Sequence, residues 1–329
     1  LLAHAPVKRF ADGSVMISRW ADLDRVYRDA RRFSSAKFEE FRPKFGADSP
    51  LYRHHTTSLV FNDPPLHGRV RRSLTGALTP RAIAAMEPAL LALVDDLLDR
   101  LEDRCELVAD FASRIPVEVI GNLLDVPQAE RGPLRDWSLA ILGALEPVLT
   151  PERRAAGEAA VRDFSAYLED LIARRRRAPG DPATDVLTRL IEAEEPLGPD
   201  ELVQNCIFIL NAGHETTTNL IGNALWLLCE WPGERARLLA EPALAESAVE
   251  EVLRMQSPNQ LGNRAAVEAV EIGGERLEAG TRVHLCIGAA NRDPAKFEDP
   301  DRFDVGRRPN RHLAFASGER RESSWSPPD

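Results

Sequence analysis

Apolar residues recur every three or four positions through most of the chain, and this spacing forms one face of an amphipathic α-helix. The clearest apolar stripe covers residues 80–105 and predicts one long helix. Similar stripes predict five more helices, over residues 111–124, 134–145, 152–175, 187–194 and 243–255. The chain is therefore predicted to be mainly helical.

The longest predicted helix covers residues 200–230. It opens with acidic residues after Pro199, and no further proline occurs before Pro232. Its middle, residues 212–218, reads AGHETTT, and glycine and consecutive threonines are poor helix formers. Two interpretations stay open. Either the glycine marks a close helix contact, or the segment opens a groove where a ligand meets the backbone beside an acid and a hydroxyl.

Strand signals are fewer and lie near the two ends of the chain. Residues 14–18 alternate, and a later cluster covers residues 267–272, 276–277 and 281–287. Gly273-Gly274 separates two of these runs and favours a hairpin. The fold class predicted from these patterns is mainly α (α+β), with a small β part.

Composition narrows the class of protein. The chain has 329 residues, a formal net charge of −10 and 43% hydrophobic residues, which is an ordinary globular composition. A length of this order fits about two domains or one large fold. The acidic balance argues against a nucleic-acid binder. The longest apolar stretch, residues 206–228, carries interrupting polar residues, so no membrane span is predicted.

The four cysteines are widely spread and form no CxxC pair, so the default setting is reducing and cytoplasmic. His214-Glu215 is similar to the start of a zinc-protease motif, but that motif needs a second histidine at position 218, which is threonine. The chain also lacks a G-x-S-x-G nucleophile elbow and a phosphate-binding P-loop.

Two charged constellations have a spacing that places their members on one helix face. His67 and Arg71 are four residues apart, and together they suit an anionic group such as a carboxylate. The alternative is a solvated basic helix start. Glu251 and Arg254 are three residues apart on a helix with one apolar side, which predicts either a surface ion pair or a buried structural pair.

Taken together, these segments resemble bacterial cytochrome P450s, the haem-thiolate monooxygenases. The resemblance covers residues 7–318. It is carried by AGHETT at 212–217, by Glu251-x-x-Arg254, by FEDPDRF at 297–303, by DPPLH at 63–67 with Arg71, and by HLAF at 312–315. Each motif alone is weak, but their order along the chain matches the family.

The resemblance implies roles for individual residues. The central helix of the family would contribute Ala212 and Gly213 beside the haem, with Glu215 and Thr216 as the acid–threonine pair that handles dioxygen. Arg302 would join the Glu251–Arg254 pair as a structural unit. The remaining family positions that contact haem or its propionates correspond to His67, Arg71, Arg264, His312 and Phe315.

The resemblance also implies the chemistry. A family member with this site binds haem b, takes electrons from a ferredoxin-type redox partner, and uses O2 to oxidise a small organic substrate. Segments 41–58, 139–148, 208–212 and 258–262 would line the substrate pocket. They carry few charges, which predicts a mostly apolar substrate with one or two polar groups.

The resemblance breaks after Gly318. In the family signature F-x-x-G-x-[HR]-x-C-x-G, Phe315, Gly318 and Arg320 fit, but Glu322 takes the cysteine position and Ser324 the last glycine. We therefore predict no metal ligand in this chain, one P450-like domain over residues 1–318 that is incomplete at both ends, and a departing tail over 319–329. The chain as written is predicted to be inactive as an oxygenase.

Three hypotheses account for this break. The first is a reading-frame shift just after Gly318 in an otherwise ordinary P450. The second is a non-catalytic P450-like binding protein, or a pseudogene product, without haem-thiolate chemistry. The third has Glu322 as a carboxylate axial ligand, which would lack the electron donation of a thiolate.

Overall fold

The computed structural model describes residues 2–146, 148–182 and 185–316. Its α-helices are α1 Trp20–Arg28, α2 Phe38–Phe45, α3 Pro50–Thr57, α4 Leu66–Ala77, α5 Pro80–Ala84, α6 Glu87–Asp99, α7 Arg114–Leu123, α8 Leu134–Gly143, α9 Pro151–Arg177, α10 Val186–Ile191, α11 Pro199–Glu230, α12 Pro232–Ala240, α13 Ala245–Met255 and α14 Ile287–Ala290. Its strands are β1 Val7–Arg9, β2 Val15–Ile17, β3 Phe33–Ser34, β4 Leu261–Ala266, β5 Val270–Ile272, β6 Glu275–Leu277 and β7 Arg282–Cys286.

The described chain forms two compact units. Residues 36–222 form a helical unit, and residues 2–35 with 223–316 form a mixed unit that holds the strands. The long helix α11 begins in the first unit and ends in the second. The prediction of one domain over residues 1–318 stays a prediction.

The helical unit is held together by one apolar core. The apolar face of α9 packs on α8, where the rings of Trp137 and Phe164 stack with centroids 5.0 Å apart. The start of α9 is set locally, because the Thr150 hydroxyl accepts a hydrogen bond from the Arg153 N–H and Pro151 takes the first helical position. The pattern predicted this helix at residues 152–175, close to its observed bounds.

The single helix predicted over residues 80–105 is wrong, because the structure divides this segment into α5 and α6. Proline is tolerated only in the first turn of a helix, and Pro88 lies at the start of α6. The stripe predicted over 111–124 is also divided, into a π-helical turn at Val108–Ala112 followed by α7. Apolar spacing continues across both junctions, so the stripe alone does not show them.

The mixed unit is built on a five-stranded sheet with the order β1-β2-β7-β4-β3. Strands β5 and β6 pair separately as the predicted hairpin, and its glycines Gly273 and Gly274 have φ of +59° and +86°. Such left-handed backbone favours glycine and suits a two-residue turn. Strand β4 was missed, because the sequence LGNRAA shows no clear alternation.

The predicted fold class, mainly α with a small β part, is confirmed. Among the described residues, no helix is long and apolar enough to cross a membrane. Helix α11 carries the AGHETT segment singled out in the sequence.

Candidate functional site

The AGHETT segment lies within a continuous stretch of α11. Gly213 is at a close helix contact, since a Cβ at this position would collide with the Cδ1 atom of Ile120 on α7. The Thr216 hydroxyl donates to the Ala212 carbonyl oxygen at 2.6 Å. This bond leaves the lone pairs of the hydroxyl oxygen as acceptors. Close packing at the glycine is therefore present, and the helix continues through the threonines.

The same segment has an open side. Ala212 and Glu215 are exposed, Thr216 is half-buried, and Asn219 one turn further is exposed. These four positions lie within about 100° around the helix, at about 100° per residue. The predicted catalytic pair therefore lies on an accessible strip of α11, which is the placement that substrate chemistry requires.

Helix α4 presents the two residues that are predicted to bind an anion. His67 is half-buried and Arg71 is exposed, one turn apart. Between them, Arg69 binds Glu201 at the start of α11, and its Nη1 atom lies 2.7 Å from Glu201 Oε2. This ion pair joins α4 to α11 at the end where α11 begins. It was not predicted from the sequence, because the two residues are 132 positions apart.

A buried hydrogen-bonded chain runs beside α11. The Gln204 amide nitrogen donates to Asp200 Oδ1 at 3.3 Å, and His54 Nδ1 lies 3.0 Å from Gln204 Oε1. The other ring nitrogen of His54 lies 3.5 Å from Asn211 Nδ2. Asp200 is paired with Arg53 at 2.8 Å. Sequence reasoning missed this chain, because His54 and Gln204 come together only in the tertiary fold.

His54 makes the helical unit sensitive to acid. Burial lowers the pKa of His54 from 6.5 to about 4. A histidine with a lowered pKa in the folded protein is held neutral, so the stability it contributes is present above pH 6.5 and is lost as the pH falls toward about 4. We expect a loss of about 3 kcal/mol over this window, from the size of the shift.

The measurement is urea unfolding at several pH values, with His54→Gln as the comparison. Carboxylates also titrate in this window, so the informative quantity is the difference between the two pH profiles. The variant is expected to have the flatter profile. Parallel profiles for the two proteins would show that His54 does not carry the sensitivity.

Glu251 and Arg254 form a buried structural pair on α13. Both side chains are fully buried, and Arg254 contacts the carboxylate with two nitrogens, at 2.7 and 2.8 Å. Arg254 also donates to three main-chain carbonyls, those of Asn291, Pro300 and Arg302. Of the two alternatives that the sequence left open, the structure shows the buried one.

The arginine that joins this pair is Arg307, which corrects the assignment of Arg302. Arg307 Nε lies 3.0 Å from Glu251 Oε1. Arg302 has an exposed side chain and reaches the cluster through its carbonyl oxygen, which accepts from Arg254 and from Arg307. The loop after Phe303 turns back over α13, and this brings the later arginine, not the earlier one, to the carboxylate.

The remaining predicted residues of the mixed unit lie on β4 and near residue 313. The Arg264 guanidinium lies 5.2 Å from the Tyr27 ring centroid, and burial raises the pKa of Tyr27 to about 12. His312 Nε2 lies 2.9 Å from Glu250 Oε2, and its Nδ1 accepts from the Ala314 N–H. A cofactor carboxylate would have to displace Glu250 from His312. Phe315 is exposed.

The signature positions Gly318, Arg320, Glu322 and Ser324 lie outside the described residues, as does the tail 319–329. Within the residues that are described, no group of three histidine, cysteine, aspartate or glutamate side chains is arranged to hold a metal ion. The axial position of the family signature is therefore known only from the sequence, where it is glutamate.

Comparison with known proteins identifies the family. A family model described as "Cytochrome P450" matches residues 138–321. The chain is 35% identical over 306 residues to the biotin biosynthesis cytochrome P450 of Bacillus subtilis, covering 92% of this chain and 76% of that protein. It is 33% identical over 322 residues to 6-deoxyerythronolide B hydroxylase of Saccharopolyspora erythraea, covering 95% and 78%.

The fold agrees with these sequence relationships. The structure of P450BioI in complex with hexadec-9Z-enoic acid ligated acyl carrier protein superposes with a TM-score of 0.89 at 31% identity, covering 96% of this chain and 82% of that chain. The chain therefore belongs to the cytochrome P450 family. Haem is the cofactor that this family implies.

Proposed function

We propose that this protein is the haem-dependent monooxygenase that its family indicates, oxidising a small, mostly apolar organic substrate with O2 and electrons from a ferredoxin-type partner. The observation that carries the proposal is the open strip of α11, where Glu215 and Thr216 follow a tightly packed Gly213. The names of two relatives support the substrate class. One is complexed with a carrier-bound hexadecenoic acid, and the other is a hydroxylase of 6-deoxyerythronolide B.

Glu215 and Thr216 are proposed to deliver protons. Bound haem would supply the activation of dioxygen, which is the cofactor's own chemistry. Thr216 donates its own hydroxyl proton to Ala212, so its oxygen can accept a hydrogen bond from a group above the helix. Glu215 is exposed on the same strip and can exchange protons with water. The pair thus combines a fixed hydroxyl with a carboxyl in contact with solvent.

The residues for the haem carboxylates fit their task. His67 and Arg71 lie one turn apart on α4. By the family resemblance, Arg264 on β4 is also proposed to bind a haem carboxylate. An arginine suits a carboxylate because its donors can bind both oxygens. Ala212 and Gly213 offer a small-residue surface on α11. By the family resemblance, His312 is proposed to bind a haem carboxylate in place of Glu250, and Phe315 is proposed to contact the haem.

The axial position does not fit haem-thiolate chemistry. Glu322 offers a hard oxygen donor, whereas a thiolate is what favours O–O cleavage in this family. We therefore propose that the chain as written is inactive as an oxygenase, and that the activity requires cysteine at this position. A reading-frame shift after Gly318 remains our explanation for the substitution.

A cytoplasmic location is part of the proposal. All four cysteines are free thiols, although Cys105 and Cys229 are exposed. Exposed free thiols persist most readily in a reducing compartment.

A second candidate is a binding protein without oxygen chemistry, and the observation in its favour is Glu322 itself. The two functions differ in a measurable way. The monooxygenase requires haem, a reductant and residue 322 as cysteine. The binding protein would hold apolar compounds equally well with glutamate at this position and without haem.

The test is turnover by the Glu322→Cys variant. The haem-loaded variant is combined with a surrogate ferredoxin, its reductase and dodecanoic acid, and products are analysed by mass spectrometry. We expect a product with one added oxygen atom that requires both O2 and the ferredoxin. The chain as written is the matched control and should form none. The assay is repeated with a panel of other small apolar compounds. If the haem-loaded, thiolate-ligated variant forms no product from any of them, the result counts against the proposal.

A further inference from the structure

The buried chain beside α11 has a defined direction. Gln204 must turn its amide nitrogen toward the Asp200 carboxylate, which accepts hydrogen bonds and donates none. The amide oxygen of Gln204 then faces His54 Nδ1, so this ring nitrogen carries the proton. Arg53 pairs with Asp200 and holds its carboxylate in place. The donor and the acceptor of each hydrogen bond are therefore assigned in order, from Asp200 to Gln204 to His54.

The direction continues through the histidine. His54 is fully buried and its lowered pKa keeps the ring neutral, so Nε2 has no proton and acts as an acceptor. The neighbouring amide of Asn211 must therefore present its nitrogen to His54. As a result, the amide oxygen of Asn211 points away from the histidine, and its orientation is set by a chain of hydrogen bonds that begins at Asp200.

Among the residues that the structure describes, this oxygen finds no hydrogen-bond partner, although Asn211 is only 6% exposed. A buried acceptor left unpaired is costly, and such atoms in folded proteins call for an explanation. The contrast with Asn205 on the same helix is informative. Its oxygen accepts from the Leu59 N–H at 3.0 Å, and its nitrogen donates to the Glu201 carbonyl at 2.8 Å.

The position of Asn211 connects it with the site. It directly precedes Ala212 and lies one turn before Glu215, at the edge of the open strip of α11. Asp200, Gln204, Asn211 and Glu215 fall within about 60° around the helix, so the oriented chain and the predicted catalytic acid share one face. The oxygen is thus fixed near the segment where the proposed oxidation takes place.

We propose that Asn211 is a specificity-determining residue whose oriented amide oxygen accepts a hydrogen bond from a hydroxyl or N–H group of the substrate. The substrate class is thereby narrowed to mainly hydrocarbon compounds that carry one such donor. This rests on the proposed function for the location of the substrate. Arg53, Asp200, Gln204 and His54 act as positioning residues, because they orient the amide without contacting the substrate.

The mechanism of selection follows from the orientation. A ligand with a donor satisfies the oxygen, whereas a ligand that lacks one leaves it buried and unpaired, and sites of this kind discriminate strongly. An amide that was free to rotate could present its NH2 group to an acceptor-only ligand instead. The histidine and the glutamine remove that possibility, so an ether or ester should not replace a hydroxyl or amide.

The test uses matched probe pairs: dodecanol with methyl dodecyl ether, and dodecanamide with methyl dodecanoate. Affinities are measured by equilibrium dialysis on the full chain, with and without haem. We expect the donor member of at least one pair to bind about tenfold more tightly, as one net hydrogen bond provides. Leucine is nearly isosteric with asparagine, so in Asn211→Leu the two members of each pair should bind with about the same affinity.

Three further variants sharpen the result. Asn211→Ala cannot clash and should lose the preference equally, so a folding defect in the leucine variant would not end the test. Asn205→Leu makes the same change six residues earlier and should keep the preference. His54→Phe releases the amide and should reduce the preference without adding or removing a group at position 211.

A preference that persists in both Asn211 variants overturns the proposal. So does the absence of any preference for the donor member in the unaltered chain, including absence of binding by all four probes. Dialysis requires neither O2 nor a reductant. A donor preference without turnover in the Glu322→Cys variant would therefore reject the monooxygenase and retain the role of Asn211. Turnover without a donor preference would retain the monooxygenase and reject the role of Asn211.

Discussion

Arg254→Met is expected to destabilise the protein by about 3–5 kcal/mol, because it breaks a buried ion pair by removing one partner. The methionine fills much of the space, but a fully buried carboxylate loses two charged hydrogen bonds. The main-chain carbonyls of Asn291 and Pro300 lose their Arg254 donor, whereas a third, that of Arg302, still accepts from Arg307. Arg307 keeps one contact with Glu251 and does not replace the others. Chemical denaturation followed by circular dichroism measures the loss.

Arg282→Met is the matched control. Arg282 pairs with Asp12 at 2.7 Å, but both side chains are about half exposed, so removal of this pair should cost less than about 1 kcal/mol. A loss below about 1 kcal/mol for Arg254→Met as well would mean that the buried cluster does not stabilise the mixed unit.

The second large effect is expected on haem affinity. The double variant His67→Gln, Arg71→Gln should bind haem about a hundredfold more weakly, because each side chain offers a hydrogen bond to a charged haem carboxylate worth about 1.5 kcal/mol or more. Titration with haem, followed by quenching of tryptophan fluorescence, gives the dissociation constants. The size of the effect distinguishes an anion site from a solvated basic helix.

Arg72→Gln provides the control for this titration. Arg72 adjoins Arg71, is likewise exposed, and lies 3.7 Å from Glu195, so its loss removes the same charge from another face of α4. Its haem affinity should change by less than about threefold. Equal losses for the double variant and for Arg72→Gln would indicate general electrostatics and no specific carboxylate contact.

Local patterns predicted the elements well, because helices and tight turns are set by neighbours in sequence. The length of α11, the start of α9 and the glycine pair between β5 and β6 all follow from spacing and turn chemistry. Errors came where two elements share one apolar stripe, as at Pro88, and where a strand such as β4 gains its pairing from distant strands on both sides.

The contacts of site residues could be predicted from the sequence only where the contacting residues are close together along the chain. Glu251 and Arg254 lie one turn apart, so their pairing can be read from the sequence. Their third partner cannot be, because several arginines follow in the loop and the path of the backbone selects Arg307. His54 and Gln204 are likewise 150 positions apart, and neither belongs to a recognisable motif.

The absorption spectrum of the carbon monoxide complex of the reduced, haem-loaded protein tests the central claim most directly, because the position of its Soret band reports the axial ligand. We predict that the chain as written binds haem without the long-wavelength Soret band of thiolate-ligated iron, and that Glu322→Cys gains this band. A thiolate-type band in the chain as written would contradict the assignment of position 322. Failure of both proteins to bind haem would contradict the proposed haem-dependent function as a whole.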